Sequence, residues 1–279
     1  MARLLVFCPT YQTPDGLAIW AETRRSIDQL NFTGEIIRII SDDNPYPSPD
    51  ARNVLYQYQK ARAIALHELA DALLTVEHDI IAPPDALQKL WDTGASVVYG
   101  VYLFRHGPPA LNTLRYTTGS APDMPLSRFP DDLARAWADG IANVSGAGFG
   151  CTLIRREVLE AIPFRSGPDH PHPDLPFAAD CIRAGIRQVA HFRALCGHIC
   201  PDGSILWPEM GKLTNNGASP LAQVIVLQDF NAPSGGHYSA GEQVIMDGSE
   251  ARELSRGGYV RMAVQTGKSN RPQRANGSR

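Results

Sequence analysis

The sequence predicts an α/β protein, a mixed and mostly parallel sheet flanked by helices, followed by a small C-terminal β-rich module. Two observations carry this expectation. Short β-branched and leucine-rich runs alternate with segments of helical periodicity over the first two thirds of the chain, as strand–helix–strand units require. Beyond about Pro220 the alternation gives way to short extended runs between turn-forming residues.

"RLLVFCPTY", from Arg3, opens the domain as a buried strand stopped by Pro9, and "GLAIWAETRRSIDQLN" follows with helical periodicity. "GEIIRIISDD" gives a second strand ending on two aspartates, and the prolines of "NPYPSPD" exclude regular structure there. "ARNVLYQYQKARAIALHELA" predicts a long amphipathic helix and "DALLTVEHD" a third strand. "PPDALQKLWDTG" has proline at a helix start and Gly94 just past its end, the usual asymmetry of helix termini. "ASVVYGVYLFR" is a fourth strand.

Residues 106–143, rich in Gly, Pro, Ser and Asp, are expected as long loops and short irregular elements. "VSGAGFGCTLIRREVLEAI" predicts a glycine-rich turn, a strand and a helix, and "HPDLPFAADCIRAGIRQVAHFRALCGHI" a loop, helix, strand and loop. "LAQVIVLQDF", "GHYSAGEQVIM" and "SEARELSRGGYVRMA" suggest two or three short strands and a small helix. "GKSNRPQRANGSR" has the composition of a disordered segment. The expected organisation is therefore a main domain over 1–220, a β-rich module over 221–266 and a disordered tail over 267–279.

With 279 residues, 43% apolar and 20% charged, the chain is long enough for one sizeable core plus an appendage. A formal charge of −3 argues against the whole chain binding nucleic acid. No apolar run reaches the roughly 18–20 residues of a membrane span, and "MARLLVFCPTYQ" lacks a signal peptide's apolar region, so a cytoplasmic location is expected. Five cysteines, an odd number spread through strands and helices, fit reduced thiols. "CGHIC", Cys196 to Cys200, has no second short-spaced pair to complete a four-ligand zinc site.

The third predicted strand raises a chemical question, because its apolar run ends on Glu77-His78-Asp79 before two isoleucines and two prolines. Charged residues at a strand end are either solvated loop residues or a site. In open α/β sheets ligands bind outside the carboxyl ends of the strands, where a Glu-x-Asp is placed to hold a divalent cation and, through it, phosphate oxygens.

The order of motifs over residues 3 to 200 resembles the family 2-type glycosyltransferases of the GT-A fold. "CPTY", Cys8 to Tyr11, is similar to the family's first-strand Pro-Thr-Tyr, and "SDDN", Ser41 to Asn44, to its second-strand Asp-Asp-Gly. "KARAIAL", Lys60 to Leu66, resembles the helix segment that usually reads Ala-Arg-Asn, with Ala63 in place of the asparagine. "VEHDIIAPPDAL" falls where the family carries its Asp-x-Asp, and "HPDLPF" where it carries Glu-Asp-x-x-Phe, with Pro173, Asp174 and Phe177 at the matching positions. "AGIRQVAHFRALCGH" is similar to the Ala-Gly, strand and histidine that follow.

The resemblance implies a GT-A-like, Rossmann-like sheet and an inverting transfer of a sugar from a nucleotide-sugar donor to an acceptor hydroxyl. It implies Mn²⁺ or Mg²⁺ on Asp79, with Glu77 meeting the metal through water or the ribose hydroxyls and His198 as a further ligand; a bound cation offsets charge developing on the diphosphate leaving group. Asp174 is implied as the general base that takes the acceptor proton, with Asp180 as a less favoured alternative in the following helix. On the donor side it implies Pro9, Thr10 and Tyr11 at the nucleoside, with Tyr11 on the base or else in the core. Asp42 is implied on a base imide, favouring UDP or dTDP sugars with GDP also compatible, Arg62 on the base or diphosphate, and His78 beside them. The glycines of Ser145 to Gly150 imply close backbone approach to donor or acceptor, or a plain turn. The sequence departs from the family at Glu77, at Pro173 and at Ala63.

Residues 222–265 resemble short β-rich modules at the ends of bacteriophage and prophage proteins. That implies a phage source, hence the host cytoplasm, and an acceptor among glycans, virion proteins and modified DNA bases. From Arg252 onward seven Lys or Arg face one Glu, a tail that suits DNA or another polyanion. A non-catalytic binding or assembly protein on a decayed transferase domain is the competing reading, motivated by the departures around Asp174. A nucleotidyltransferase is disfavoured, since "CPTYQTPDG" lacks the glycine-rich basic loop that cradles a triphosphate.

Overall fold

Alternate residues of the first strand, β1 (Arg3–Pro9), enter two different cores. The computed structural model describes all residues except 11–18, 48–49, 106–109, 116–123, 168–171, 210–221, 232–236, 247–258 and 263–279. The chain divides into two units, Met1–Asn216 and Gly217–Arg279.

In the first unit β1 is followed by α1 (Ala21–Asp28), β2 (Glu35–Ser41), α2 (Arg52–His67) and β3 (Ala72–Val76). Then come β4 (Ile80–Ile81), α3 (Ala86–Asp92), β5 (Val97–Val101), β6 (Thr113–Arg115), β7 (Met124–Pro125) and α4 (Pro130–Asp139). The unit continues with β8 (Ile141–Val144), β9 (Gly146–Ala147), β10 (Cys151–Arg155), α5 (Arg156–Ala161) and α6 (Asp174–Arg183). It closes with β11 (Gln188–Leu195), β12 (Gly197–Ile199) and β13 (Ile205–Leu206).

Seven of these strands form one sheet in the order β2-β1-β3-β10-β5-β11-β8. Leu5 and Phe7 of β1 pack with Tyr58, Ala61 and Ala65 of α2, whereas Leu4, Val6 and Cys8 pack with Ile27 of α1 and with Leu87 and Leu90 of α3. Helices therefore cover both faces, and each fully buried Leu or Phe contributes roughly 1.5–3 kcal/mol. The α/β class, with a mixed sheet flanked by helices, is as the sequence predicts.

The expectation of a mostly parallel sheet needs correction. Three ladders are parallel (β1·β2, β1·β3, β5·β11), and three are antiparallel, because β10 runs against both β3 and β5 and β8 runs against β11. A strand buried on both faces reads as the same apolar run in either direction, so direction was not in the sequence pattern. A second correction concerns 106–143, where α4 is a regular helix. Its signals were present: Pro130 at the start, Asp131 and Asp132 in the first turn, and Gly140 at φ 76° past the end. Asp174, expected in a loop, opens α6.

In the second unit β14 (Ala222–Val226) lies between β17 (Gln243–Met246) and β18 (Val260–Met262), antiparallel to both. A two-stranded pair joins β15 (Phe230–Asn231) and β16 (His237–Tyr238). Most of the predicted small helix and the whole basic tail from residue 267 lie outside the described residues. No helix among the described residues is long and apolar enough to cross a membrane.

Candidate active site

The strand that ends on charged residues is β3, inside the sheet between β1 and β10. At its carboxyl end Glu77 to Ile80 make a tight turn, with the Ile80 N–H donating to the Glu77 carbonyl at 3.0 Å. Three more backbone bonds hold the turn: Glu77 N–H to Gly150 O at 2.9 Å, Trp20 N–H to His78 O at 3.2 Å and Ile199 N–H to Asp79 O at 2.8 Å. The last belongs to a small sheet in which β12 pairs antiparallel with β4, His198 opposite Ile80. That pairing brings a histidine from the far end of the domain to the β3 terminus.

A cavity of about 460 Å³ opens over this turn, lined among others by Glu77, His78, Asp79, Asp174 and His198. Five of the residues expected from the sequence thus line one cavity. Asp79 among them is only 2% exposed. Its Oδ2 lies 2.7 Å from Arg105 Nη1, 3.7 Å from His198 Nε2 and 3.9 Å from His78 Nε2. Burial alone would raise this carboxyl, but His198, His78 and Arg105 outweigh it and hold Asp79 below its usual range, hence ionised. Asp79 Oδ1 is buried without a hydrogen-bond partner among the described residues.

His198 has its tautomer set by its surroundings. Nδ1 lies 2.6 Å from the Leu103 carbonyl oxygen, which can only accept, so Nδ1 carries a proton and Nε2 faces Asp79, donating to the carboxylate when protonated and offering its lone pair to a cation when that proton is displaced. A nitrogen lone pair and a carboxylate oxygen 3.7 Å apart suit two ligands of one cation. Among the described residues no three His, Cys, Asp or Glu side chains converge on a common point. The donor set fits Mg²⁺ or Mn²⁺ with two protein ligands, the rest supplied by phosphate oxygens and water as is usual for Mg²⁺. The Tyr102 ring meets His198 edge-on at 5.2 Å and fixes its plane.

Glu77 has a different partner: the Tyr58 hydroxyl of α2 donates to Glu77 Oε1 at 2.7 Å. Tyr58 is itself locked in an aromatic cluster with Phe149 at 5.0 Å and Phe164 at 5.8 Å, and Phe177 of α6 closes the group 5.3 Å from Phe149. Burial first, then the charge of Asp79, push the Glu77 carboxyl up from 4.5 to about 7, against the lowering effect of the Tyr58 bond. Because the folded chain then binds more protons than the unfolded chain between those values, stability falls as pH rises through that window. Glu77→Gln is expected to flatten that decline: in EDTA its melting temperature gains on the wild type from about pH 5 to pH 8, which scanning calorimetry across pH would show. A constant offset between the two proteins would contradict it.

Asp174 is the first residue of α6, where a carboxylate favours the helix dipole, and its Oδ1 accepts the Leu175 N–H at 2.9 Å. Phe177, one turn later, anchors the helix in the aromatic cluster. Asp180 is not among the residues lining the cavity; Arg165 and Arg183 hold its two oxygens.

The donor-side residues are placed less uniformly. Pro9 ends β1, and buried Thr10 binds the Ser41 carbonyl through its N–H at 2.8 Å and its hydroxyl at 3.0 Å. Asp42 is exposed in the loop after β2, while its neighbour Asp43 pairs with Lys60 at 3.0 Å. Arg62 is not among the residues lining this cavity: its Nε donates to Leu159 O at 2.5 Å and its Nη2 to Glu160 O at 3.4 Å, at the end of α5. Tyr11 lies outside the described residues. The glycines of 145–150 leave room chiefly for Tyr102: a Cβ on Gly148 would lie 2.3 Å from its hydroxyl oxygen, and one on Gly150 2.8 Å from its ring.

Arg105, Tyr58, Tyr102 and His172 also line the cavity and were not singled out from the sequence. Arg105 had one visible signal, a lone cation closing the apolar run "VVYGVYLF".

No family model matches the chain, and no curated protein is similar to it. Among solved structures the chain is similar to A197 from STIV, with 18% identity and a TM-score of 0.47 over 74% of this chain and 94% of that one. It is also similar to S. aureus TarS 1-349 in complex with UDP, at 16% identity and a TM-score of 0.32 over 58% of this chain and 50% of that one. The same protein with UDP-GlcNAc gives 16% identity and 0.35 over 63% and 52%. Likeness at this level carries no argument about the site, which stands on its own geometry.

Proposed function

We propose that the chain is a glycosyltransferase that moves a sugar from a nucleotide-sugar donor to an acceptor hydroxyl with inversion, assisted by Mg²⁺ or Mn²⁺. One observation carries the reading: the ionised, buried Asp79 and the lone pair of His198 share a cavity at the carboxyl end of β3 with a second carboxylate, Asp174. A bound cation would supply Lewis-acid stabilisation of the diphosphate leaving group. Asp79 and His198 would hold it, while Glu77, braced by Tyr58, would meet water or ribose hydroxyls. Asp174, on the helix end across the cavity lining, takes the proton of the acceptor hydroxyl as that oxygen attacks the anomeric carbon. Buried Tyr102 and the aromatic cluster keep these groups in fixed positions, which favours an in-line approach. The sequence resemblance favours a UDP or dTDP sugar, with GDP compatible, and an acceptor among glycans, virion proteins and modified DNA bases.

The test is a thermal-shift panel of UDP, dTDP, GDP and CDP, each with and without Mn²⁺. A ligand that binds only the native state at about 100 times its Kd stabilises by about 2.7 kcal/mol, a readily measured shift. A Mn²⁺-dependent rise with UDP or dTDP is expected. No rise with any nucleotide would overturn the donor reading and favour a non-catalytic scaffold.

A further inference from the structure

Arg105 sits just past the end of β5, with a side chain 28% exposed, and its Nη1 is 2.7 Å from Asp79 Oδ2. Its second contact, to the Ile199 carbonyl at 3.4 Å, is weak. The guanidinium thus holds the very oxygen that His198 Nε2 faces, while Asp79 Oδ1 has no hydrogen-bond partner among the described residues. A cation entering between Asp79 and His198 would meet a like charge at that oxygen. The two cannot occupy the same position, and the more exposed, less firmly held group is the arginine.

We propose that Arg105 is a displaceable latch: it neutralises Asp79 while no metal is bound, and when a divalent cation takes Asp79 and His198 its guanidinium turns into the cavity to bind the diphosphate of the donor. The inference rests on the donor reading above. Its charge balance is simple. Among these groups, Asp79 with Arg105 sums to zero; a divalent cation on Asp79 leaves one positive charge and the released guanidinium adds another, so the three together offset the two negative charges of a nucleotide-sugar diphosphate beside the carboxyls of Glu77 and Asp174. A planar guanidinium suits that task because it binds phosphate oxygens in pairs. The cavity would then become attractive to the diphosphate only once the cation is in place, so binding is ordered, cation before donor.

The experiment measures Mn²⁺ binding by electron paramagnetic resonance, without nucleotide, on the wild type, Arg105→Ala, Arg105→Lys and Asp79→Asn. It then measures UDP affinity at saturating Mn²⁺. Removing the competing charge should tighten Mn²⁺ by roughly tenfold in Arg105→Ala, the scale expected for a partly exposed ion pair. The same variant should weaken UDP by roughly tenfold through the lost charge-assisted contact. Arg105→Lys should lie between on both, and Asp79→Asn should lose Mn²⁺. In EDTA Arg105→Ala should melt below the wild type and regain more on adding Mn²⁺; an arginine that only braces the fold would give the loss without the extra recovery. Unchanged or weaker Mn²⁺ binding in Arg105→Ala, with Asp79→Asn still abolishing it, overturns the latch and leaves the cation site standing. Absence of Mn²⁺ binding in the wild type overturns latch and cation site together, while UDP stabilisation in EDTA would separately preserve the nucleotide reading.

Discussion

Asp79→Asn is expected to lower nucleotide release from a UDP-sugar by about a thousandfold in kcat/KM, the scale of losing several kcal/mol of charge stabilisation at the leaving group. The substitution keeps size and shape and removes only the charge. With it go the attraction to Arg105 at 2.7 Å and the anionic ligand that faces His198 Nε2 at 3.7 Å. Loss of one partner of a fully buried ion pair can destabilise by roughly 3–5 kcal/mol. Here the cost is smaller, because Arg105 is 28% exposed and water can solvate it. The variant should therefore fold with a reduced melting temperature, and its remaining activity should no longer respond to Mn²⁺. A variant that keeps both turnover and Mn²⁺ response would remove Asp79 from the site.

Asp174→Asn should behave differently. Its amide oxygen can still accept the Leu175 N–H that the carboxylate now accepts, so α6 keeps its start and the fold is largely unaffected. What disappears is the proton acceptor. Loss of a general base lowers turnover by roughly 10²–10⁴-fold. Donor binding, read as the thermal shift with UDP and Mn²⁺, should persist, since Asp174 takes no part in holding the cation. This split separates the two carboxylates: Asp79 governs donor and metal, Asp174 only the transfer. Full turnover in Asp174→Asn would assign the base elsewhere, and equal loss of UDP binding would make Asp174 part of the donor site.

Much of this arrangement was legible in the linear chain. The apolar run of Ala72–Val76 and its abrupt end at Glu77 mark a buried strand whose terminus carries charge, and both depend only on local residue order. The helix end at Gly94 is likewise local, because positive φ favours glycine whatever surrounds it; Gly140 carries the same signal, although its helix was expected as loop. Asp174 lines the cavity, and its setting changed from the expected loop to a helix start.

Long-range placement was not legible. The direction of β10 depends on how the chain returns from a distant connection, and an apolar run between two strands is equally buried either way. Arg62 shows the same limit: a helical arginine can reach any acceptor within its length, and packing of α5 against α2 gave it the Leu159 and Glu160 carbonyls. The pairing of Asp79 with Arg105, the bond from Tyr58 to Glu77, and the Nδ1 contact that aims His198 at Asp79 join residues far apart in sequence. By itself the sequence determined which residues carry charge and where the long buried strands and their flanking helices lie, since these follow from local propensity and periodicity. Only the tertiary structure decided which charges meet, because burial, tautomer and ion pairing are set by neighbours that the fold, and not the chain order, supplies.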